Sequence, residues 1–259
     1  MIGNRPPKLL RAIIPLAIGL TVVGALLYQT VEENGGWDAV QGSVTLPGWP
    51  LATACLAGLI LTRDLGYVLR LRWLSNGSLT WRAAIETTVV WEFASAITPG
   101  IVGGGAVAIW GLHRQGMSAG KSTALVFSTA LLDELFYVLA VPPLLFFLGD
   151  AVAPADFDNT IGWSVFWIGW GIMLLLAGII AFGLFLAPTA TRNIILRCAR
   201  IKWLGRWRQS LSEFADDLQN SALEMKSLPL YQWAGAFLAT MASWTARFMS
   251  LVAVMAMVV

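Results

Sequence analysis

The sequence predicts an all-α protein, a polytopic bundle of membrane helices that contains one re-entrant helix pair. Hydrophobic residues make up 57% of the 259 residues and charged residues 12%, whereas soluble domains carry roughly 25% charged residues. Several apolar runs reach the roughly 20 residues that a membrane-spanning helix needs. The third observation is a helix-breaking segment, TPGIVGGG at residues 98–105, inside an apolar run. Irregular backbone at membrane depth is tolerated only where protein covers it or where it lines a wet cavity, so the break points to a transport site.

Apolar regions divide the chain into its predicted elements. The six regions are 12–31, 49–69, 83–112, 122–148, 161–187 and 229–259. Glu32 and Glu33 follow the first region without a small-residue cleavage site, so we interpret that region as a retained helix rather than a signal peptide. The last region is still apolar at residue 259. Either the last helix finishes there or the chain is part of a longer protein, and we expect residues 1–259 to be a single transmembrane domain that lacks its C-terminal part.

The charges of the connecting segments predict the course of the chain through the membrane. The positive-inside rule places the basic N-terminus in the cytoplasm, and it places segment 70–82, with its three arginines, on the same side. If region 83–112 crossed the membrane once, the six-cation segment 192–208 would lie outside. If region 83–112 enters and returns, that segment lies inside and the aspartate-rich segment 149–160 lies outside. We therefore predict a re-entrant helix pair at about 83–112; the alternative is one tilted helix with a glycine-rich packing face.

A cytoplasmic amphipathic helix is predicted at residues 207–226. Its apolar side chains recur at helical spacing, with acidic side chains opposite. The cations that precede it favour anionic lipid headgroups, although a solvated connector that obeys the inside rule explains them equally well. The cations are Arg192, Arg197, Arg200, Lys202, Arg206 and Arg208.

Ionisable side chains at membrane depth are the candidate functional residues, because each costs about 2.5–3.5 kcal/mol to insert. Asp133 and Glu134 lie near the middle of region 122–148; a structural ion pair or a protonated carboxyl is the alternative interpretation. Glu92 lies deep in the first arm of the re-entrant pair. Arg247 lies in the outer half of the last region, where we expect it to pair with a carboxylate or to hold an anion such as a lipid phosphate. With the turn, these residues form the predicted substrate-binding set: Thr98, Pro99, Gly100, Gly103, Gly104, Glu92, Asp133, Glu134 and Arg247.

Catalytic chemistry is not indicated by the sequence. His113 is the one histidine, no His/Cys cluster has metal-ligand spacing, and no nucleophile motif occurs. We therefore expect no enzyme activity, no metal and no other cofactor. The basic residues lie in short loops, so the net charge of +2 gives no indication of nucleic-acid binding.

Three motifs resemble a known family. They are ITPGIVGGGA at 97–106, GMSAGKSTA at 116–124, and DELFY at 133–137 followed by Pro142. Together they resemble the lysylphosphatidylglycerol synthase transmembrane-region family, the flippase-like membrane domain of multiple-peptide-resistance proteins, most strongly over residues 83–148. The resemblance implies a multi-pass protein of the bacterial inner membrane that moves a lipid or lipid-linked headgroup between leaflets. Many relatives carry an arginine where this chain has Asp133 and Glu134, so the resemblance does not fix the headgroup.

A lipid translocator is therefore the leading hypothesis for function. The alternatives are an ion- or proton-coupled transporter of a small solute, and a membrane scaffold for envelope-lipid enzymes that does not transport. An integral-membrane enzyme is a weaker option. As partners we expect membrane lipids, with a homo-oligomer or an envelope-lipid enzyme left open.

Overall fold

The computed structural model describes residues 49–97, 101–148 and 160–258, together with isolated positions between 21 and 36. Within these ranges every regular element is a helix, which confirms the all-α prediction. Most of the predicted helix at 12–31 lies outside the described ranges, and its described positions are helical. The aspartate-rich segment and the turn residues Thr98, Pro99 and Gly100 also lie outside these ranges.

Eight α-helices can be followed along the described chain. They are α1 (Trp49–Leu74), α2 (Trp81–Ile97), α3 (Ile101–Arg114), α4 (Ala119–Leu148), α5 (Thr160–Ala181), α6 (Pro188–Cys198), α7 (Arg208–Lys226) and α8 (Leu230–Val258). A π-helical turn, Phe182–Leu186, continues α5, and a 3₁₀ helix, Lys202–Trp207, precedes α7.

Four segments in the described ranges are long and apolar enough to cross a membrane: Trp49–Leu74, Ala119–Phe147, Gly162–Leu186 and Leu230–Val254. They correspond to the second, fourth, fifth and sixth predicted regions. The second region was predicted to end too early, because α1 continues to Leu74. Arg70 and Arg72 therefore belong to the helix and not to the loop that follows it.

Helices α2 and α3 form an antiparallel hairpin. Gly104 lies directly against Ser95 near the closed end, and a Cβ atom on Gly111 would lie 3.8 Å from Thr87 Cγ2. At the open end, Gln115 Nε2 donates a hydrogen bond of 3.1 Å to Glu86 Oε2. The helices contain 17 and 14 residues, which corresponds to about 26 and 21 Å of helix. Both are shorter than the roughly 30 Å of a bilayer core, as a re-entrant pair requires; its position in a membrane stays a prediction.

The glycine run lies inside a helix and not in the turn. We predicted a turn over Pro99–Gly105, but α3 begins at Ile101, so Gly103, Gly104 and Gly105 are helical. Of the three, Gly104 lies in close contact with α2, where a small residue lets the two helix backbones approach closely.

Six helix ends meet at one end of the described bundle: the C-termini of α1, α3 and α7 and the N-termini of α2, α4 and α8. Gln232 Nε2 at the start of α8 donates a 2.7 Å hydrogen bond to Asn76 Oδ1 beyond α1. Lys121 Nζ at the start of α4 pairs with Glu224 Oε1 of α7 at 2.8 Å. We call this the basic end of the bundle, because the cations near it are those that the charge pattern assigned to one side of the membrane.

The predicted amphipathic helix is α7. Its buried residues include Ala215, Leu218, Ala222 and Met225, all from the predicted apolar face. The helix packs against α4 and α6. Asp217 fixes it to the start of α4, where one carboxylate oxygen accepts the Gly120 N–H at 2.6 Å and the other accepts the Ser118 hydroxyl at 2.9 Å.

Candidate functional site

A largely buried ion pair joins α1 and α4. Asp133, the fifteenth of thirty residues in α4, accepts a hydrogen bond on Oδ1 from Arg70 Nη1 of α1. The Arg70 side chain is 6% exposed and that of Asp133 is 25% exposed. The same Oδ1 atom accepts a 2.8 Å hydrogen bond from Trp244 Nε1 of α8. Three spanning helices are thereby joined by one carboxylate.

Aromatic rings surround the Arg70 guanidinium. Its Cζ atom lies 4.6 Å from the centroid of the Tyr67 ring and 5.9 Å from that of the Trp91 ring. Both distances are within the range in which the ring face attracts a cation. Arg70 Nε is buried and has no hydrogen-bond partner among the described residues. The guanidinium is thus held by one carboxylate and two rings, and not by a full set of hydrogen bonds.

A second cation, Arg247, lies close to this pair on α8. Its Nη1 atom donates a 3.4 Å hydrogen bond to Tyr67 Oη, and its Cζ atom lies 5.2 Å from the centroid of the Trp244 ring. Arg247 is exposed on the described bundle, and no carboxylate of the described residues lies within ion-pair distance of it. Glu92 of α2 is near enough to interact electrostatically with both Arg247 and Tyr67. We call Tyr67, Arg70, Glu92, Asp133, Trp244 and Arg247 the central charge cluster.

Glu134 lies beside the cluster and is not part of its hydrogen-bond network. Its Oε2 atom is buried without a hydrogen-bond partner in the described chain. Neighbouring residues on a helix point about 100° apart, so Glu134 faces away from the Arg70 side chain that Asp133 contacts.

The cluster is closely packed. The gap bordered by Tyr67, Arg70, Thr88, Trp91 and Glu92 has a volume of about 10 Å³, which is the space of a single water molecule. A phospholipid headgroup does not fit there unless α2 moves away from α1.

The structure brings four of the nine predicted residues together. Glu92, Asp133 and Arg247 belong to the cluster, and Glu134 adjoins it. Gly104 instead holds the hairpin together, because a Cβ atom there would collide with Ser95 Oγ; Gly103 lies in the first turn of α3. The other three, Thr98, Pro99 and Gly100, lie outside the described residues.

The basic segment lies at the same end of the protein as α7 and is largely exposed. Arg192 pairs with Asp216 of α7, while Arg197, Arg200, Arg206 and Arg208 are exposed; the Lys202 side chain is not among those described. Trp203 between them is 90% exposed. An exposed tryptophan among arginines is typical of a segment at the membrane–water interface.

Sequence reasoning did not find Arg70, Tyr67 or Trp244. Arg70 was counted with the loop cations because the hydropathy of α1 falls after residue 69. The available signal was the helical spacing of Tyr67, Arg70 and Leu74, which indicates that the helix continues beyond residue 69.

Comparison with known proteins gives a family. No solved structure matches the chain. A UPF0104 membrane protein from Archaeoglobus fulgidus is 26% identical to it over 138 residues, which are 51% of this chain and 40% of that protein. The chain thus covers less than half the length of that curated relative. The family model of the lysylphosphatidylglycerol synthase TM region matches residues 12–259, and the chain therefore belongs to the lysylphosphatidylglycerol synthase transmembrane-region family.

Proposed function

We propose that this membrane protein translocates a phospholipid or lipid-linked headgroup between leaflets, with the central charge cluster as its binding site. The observation that carries the proposal is Arg247. A cation in a spanning helix is costly, yet Arg247 is exposed and is held by a hydroxyl and a ring face instead of a carboxylate. Such a guanidinium retains donors for two oxygens of a phosphate.

The remaining charges have distinct roles in this proposal. Arg247 binds the headgroup phosphate, and the half-buried carboxylate of Glu92 accepts a hydrogen bond from a hydroxyl or amine of the same headgroup. The ion pair between Arg70 and Asp133 holds α1, α4 and α8 in place. Together these groups replace the water that a headgroup loses inside the bilayer, and so lower the barrier to its passage. No bond is made or broken, so no catalytic residue is proposed.

Access to the cluster requires movement of the α2–α3 hairpin. The gap of about 10 Å³ at the cluster opens only if α2 separates from α1. The hairpin is the natural moving part, since its helices are too short to span and are held to each other through Gly104 and Ser95. Movement as one unit would expose Glu92, which is partly buried, beside Arg247, which is already exposed.

A coupled solute transporter is the second candidate function. The observation that favours it is the buried, unpartnered Glu134 Oε2 atom, because a carboxyl in such surroundings can carry a proton. This candidate predicts that transport of a solute depends on a proton gradient and is lost in Glu134→Gln.

Lipid scrambling in liposomes tests the leading proposal. Fluorescent phospholipids of several headgroups are reconstituted with the parent protein, and the fraction reached by a membrane-impermeant quencher is followed over time. The test variant is Arg247→Gln. The matched control is Arg82→Gln, because its side chain is 89% exposed and its one ion pair among the described residues is with Glu86 in the same helix.

We expect the parent protein and Arg82→Gln to translocate lipid, and folded Arg247→Gln to lose most of the rate. A parent protein that retains its fold but translocates none of the headgroups contradicts the proposal. Equal translocation rates for Arg247→Gln and the parent protein would show that the central charge cluster is not the binding site.

A further inference from the structure

A groove at the basic end of the bundle lies outside the central charge cluster. It has a volume of about 360 Å³ and is lined by side chains at the end of α1, the start of α2 and the start of α8. This volume is within the range of small-molecule sites. We call it the interfacial groove; its lining residues are Leu69, Arg72, Trp73, Asn76, Trp81 and Gln232, with Gly77.

The groove is separate from the cluster although both use α1. Arg70 and Arg72 are two residues apart, so their side chains leave the helix about 200° apart. Arg70 faces Asp133 inside the bundle, whereas Arg72 faces the groove. A ligand in the groove therefore does not touch the ion pair.

The end of α1 gives the groove a fixed shape. The Gly77 N–H bonds to the Arg72 carbonyl at 3.1 Å and the Asn76 N–H to the Trp73 carbonyl at 3.2 Å, which is a Schellman cap. Such a cap requires a left-handed residue, and Asn76 has φ +52°. On the opposite wall, the Trp73 ring lies against Gly235, where a Cβ atom would be 2.9 Å from Cε2 of the ring.

The polar groups of the groove define what it can bind. Gln232 is 8% exposed; its Nε2 atom donates to Asn76 Oδ1, while its Oε1 atom is buried with no partner among the described residues. A buried acceptor of this kind requires a donor. Arg72 donates one N–H to the Leu79 carbonyl and stacks 4.3 Å from the Trp81 centroid, and a guanidinium has further N–H groups for an anion.

We propose that the interfacial groove binds the headgroup of a phospholipid that carries both a phosphate and a hydroxyl or amine donor. The phosphate accepts hydrogen bonds from Arg72, and the hydroxyl or amine donates a hydrogen bond to Gln232 Oε1. The Trp73 and Trp81 rings cover the glycerol region. The groove lies where two spanning helices end, at the depth of lipid headgroups, and tryptophan is enriched at that depth. The inference rests on the proposed function for what happens to the lipid afterwards, but binding itself is independent of translocation.

Native mass spectrometry of the detergent-solubilised full chain tests the groove. Phosphatidylethanolamine, phosphatidylglycerol and phosphatidylcholine with identical acyl chains are added separately, and the lipid-bound fraction is measured. The first two lipids offer an amine or hydroxyl donor, whereas the choline headgroup offers none. We expect the parent protein to retain the first two roughly five- to tenfold better, as one satisfied buried acceptor allows.

Three variants identify the residues. Gln232→Leu should lower retention of the first two lipids to the level of phosphatidylcholine, and Arg72→Gln should weaken all three. Asn76→Gly keeps the left-handed cap, because glycine adopts positive φ freely, but removes the acceptor that orients the Gln232 amide; it should lower retention of the first two lipids part of the way toward the level of phosphatidylcholine. Arg82→Gln, outside the groove, should match the parent protein.

Equal retention of the three lipids by the parent protein overturns the inference, as does parent-like retention by both Gln232→Leu and Asn76→Gly. The two proposals fail separately. If the parent protein translocates lipid but the groove variants retain lipid as the parent protein does, only the groove proposal is refuted. A parent protein that binds donor lipids through Gln232 but does not translocate refutes only the translocator.

Discussion

Asp133 is the carboxylate on which the buried charge of Arg70 depends. Removing one partner of a buried ion pair leaves an uncompensated charge and typically costs about 3–5 kcal/mol. We therefore expect Asp133→Asn and Arg70→Gln each to lower the melting temperature of the purified protein strongly. The double variant should be much less damaged than the sum of the two, because neither charge is then left alone.

Melting curves of the three variants, read by circular dichroism in one detergent, measure the coupling. Additive losses would show that the two side chains do not interact. The result also separates a structural role from a transport role, since a translocation defect in the stable double variant belongs to the lost charges and not to unfolding.

The sequence identified one half of this pair and missed the other. Asp133 and Glu134 stand out because carboxylates in the middle of an apolar run are conspicuous. Arg70 is not conspicuous, since it lies four residues before a helix end, where arginine often extends to the interface. Only the packing of α1 against α4 shows that its side chain points into the bundle.

The α2–α3 hairpin depends on one close contact between its two helices. A Cβ atom at position 104 would collide with Ser95, whereas one at position 105 would lie 3.9 Å from Val126 Cγ1, an ordinary contact. Gly104→Ala should therefore destabilise the protein. Gly105→Ala should be neutral or stabilising by up to about 1 kcal/mol, because alanine is the better helix former.

The two glycine variants are compared by melting temperature. Adding Ser95→Gly to Gly104→Ala should restore part of the loss, because the obstructing hydroxymethyl group is removed. Equal destabilisation by Gly104→Ala and Gly105→Ala would show that the close contact with Ser95 is not what holds the helices together.

The open end of the hairpin should be sensitive to acid. Hydrogen bonds from Arg82 and then from Gln115 hold the pKa of the Glu86 carboxyl below its ordinary value. A lowered pKa means that the contact stabilises the folded protein above the ordinary carboxyl range and is lost as the pH falls through the lowered pKa. In a carbon-13 NMR titration, Gln115→Ala should move the Glu86 midpoint upward; an unchanged midpoint contradicts the contact between the two helices.

The existence of the hairpin was predictable, while the role of its glycines was not. The length of region 83–112, the proline and the charge balance all indicated two short helices. Gly103 and Gly104 were placed in the turn because glycine is common in both turns and close helix contacts, and sequence alone does not distinguish the two. The contact with Ser95, nine residues earlier in the chain, is a property of the folded pair.

The arrangement of helix ends predicts which loops face the same side of the membrane. Ser78 and Gln115 flank the hairpin at the basic end, and Ser227 lies between α7 and α8 at the same end. With Cys55 and Cys198 replaced, single cysteines at these three positions should react with a membrane-impermeant maleimide from one side only. Opposite labelling of positions 78 and 115 would mean that region 83–112 crosses the membrane once.

Much of the architecture follows from hydropathy and charge, because membrane insertion depends on those two properties. Four predicted regions correspond to four helices long enough to span, and the segment predicted to be an amphipathic helix is helical in the structure. Contacts between elements were not predictable in the same way. The attachment of Asp217 to the start of α4 joins residues nearly a hundred positions apart, and nothing in the local sequence of either helix indicates it.

That attachment has a mechanical consequence. A Cβ atom on Gly120 would collide with the backbone of Leu218, and Asp217 accepts two hydrogen bonds from the start of α4. With these contacts at its N-terminus, α4 can tilt about that end. It cannot slide along its own axis without losing all of them. An elevator-like displacement of α4 is therefore disfavoured. If the protein translocates lipid as proposed, α4 and α7 stay fixed to each other while the α2–α3 hairpin moves against them.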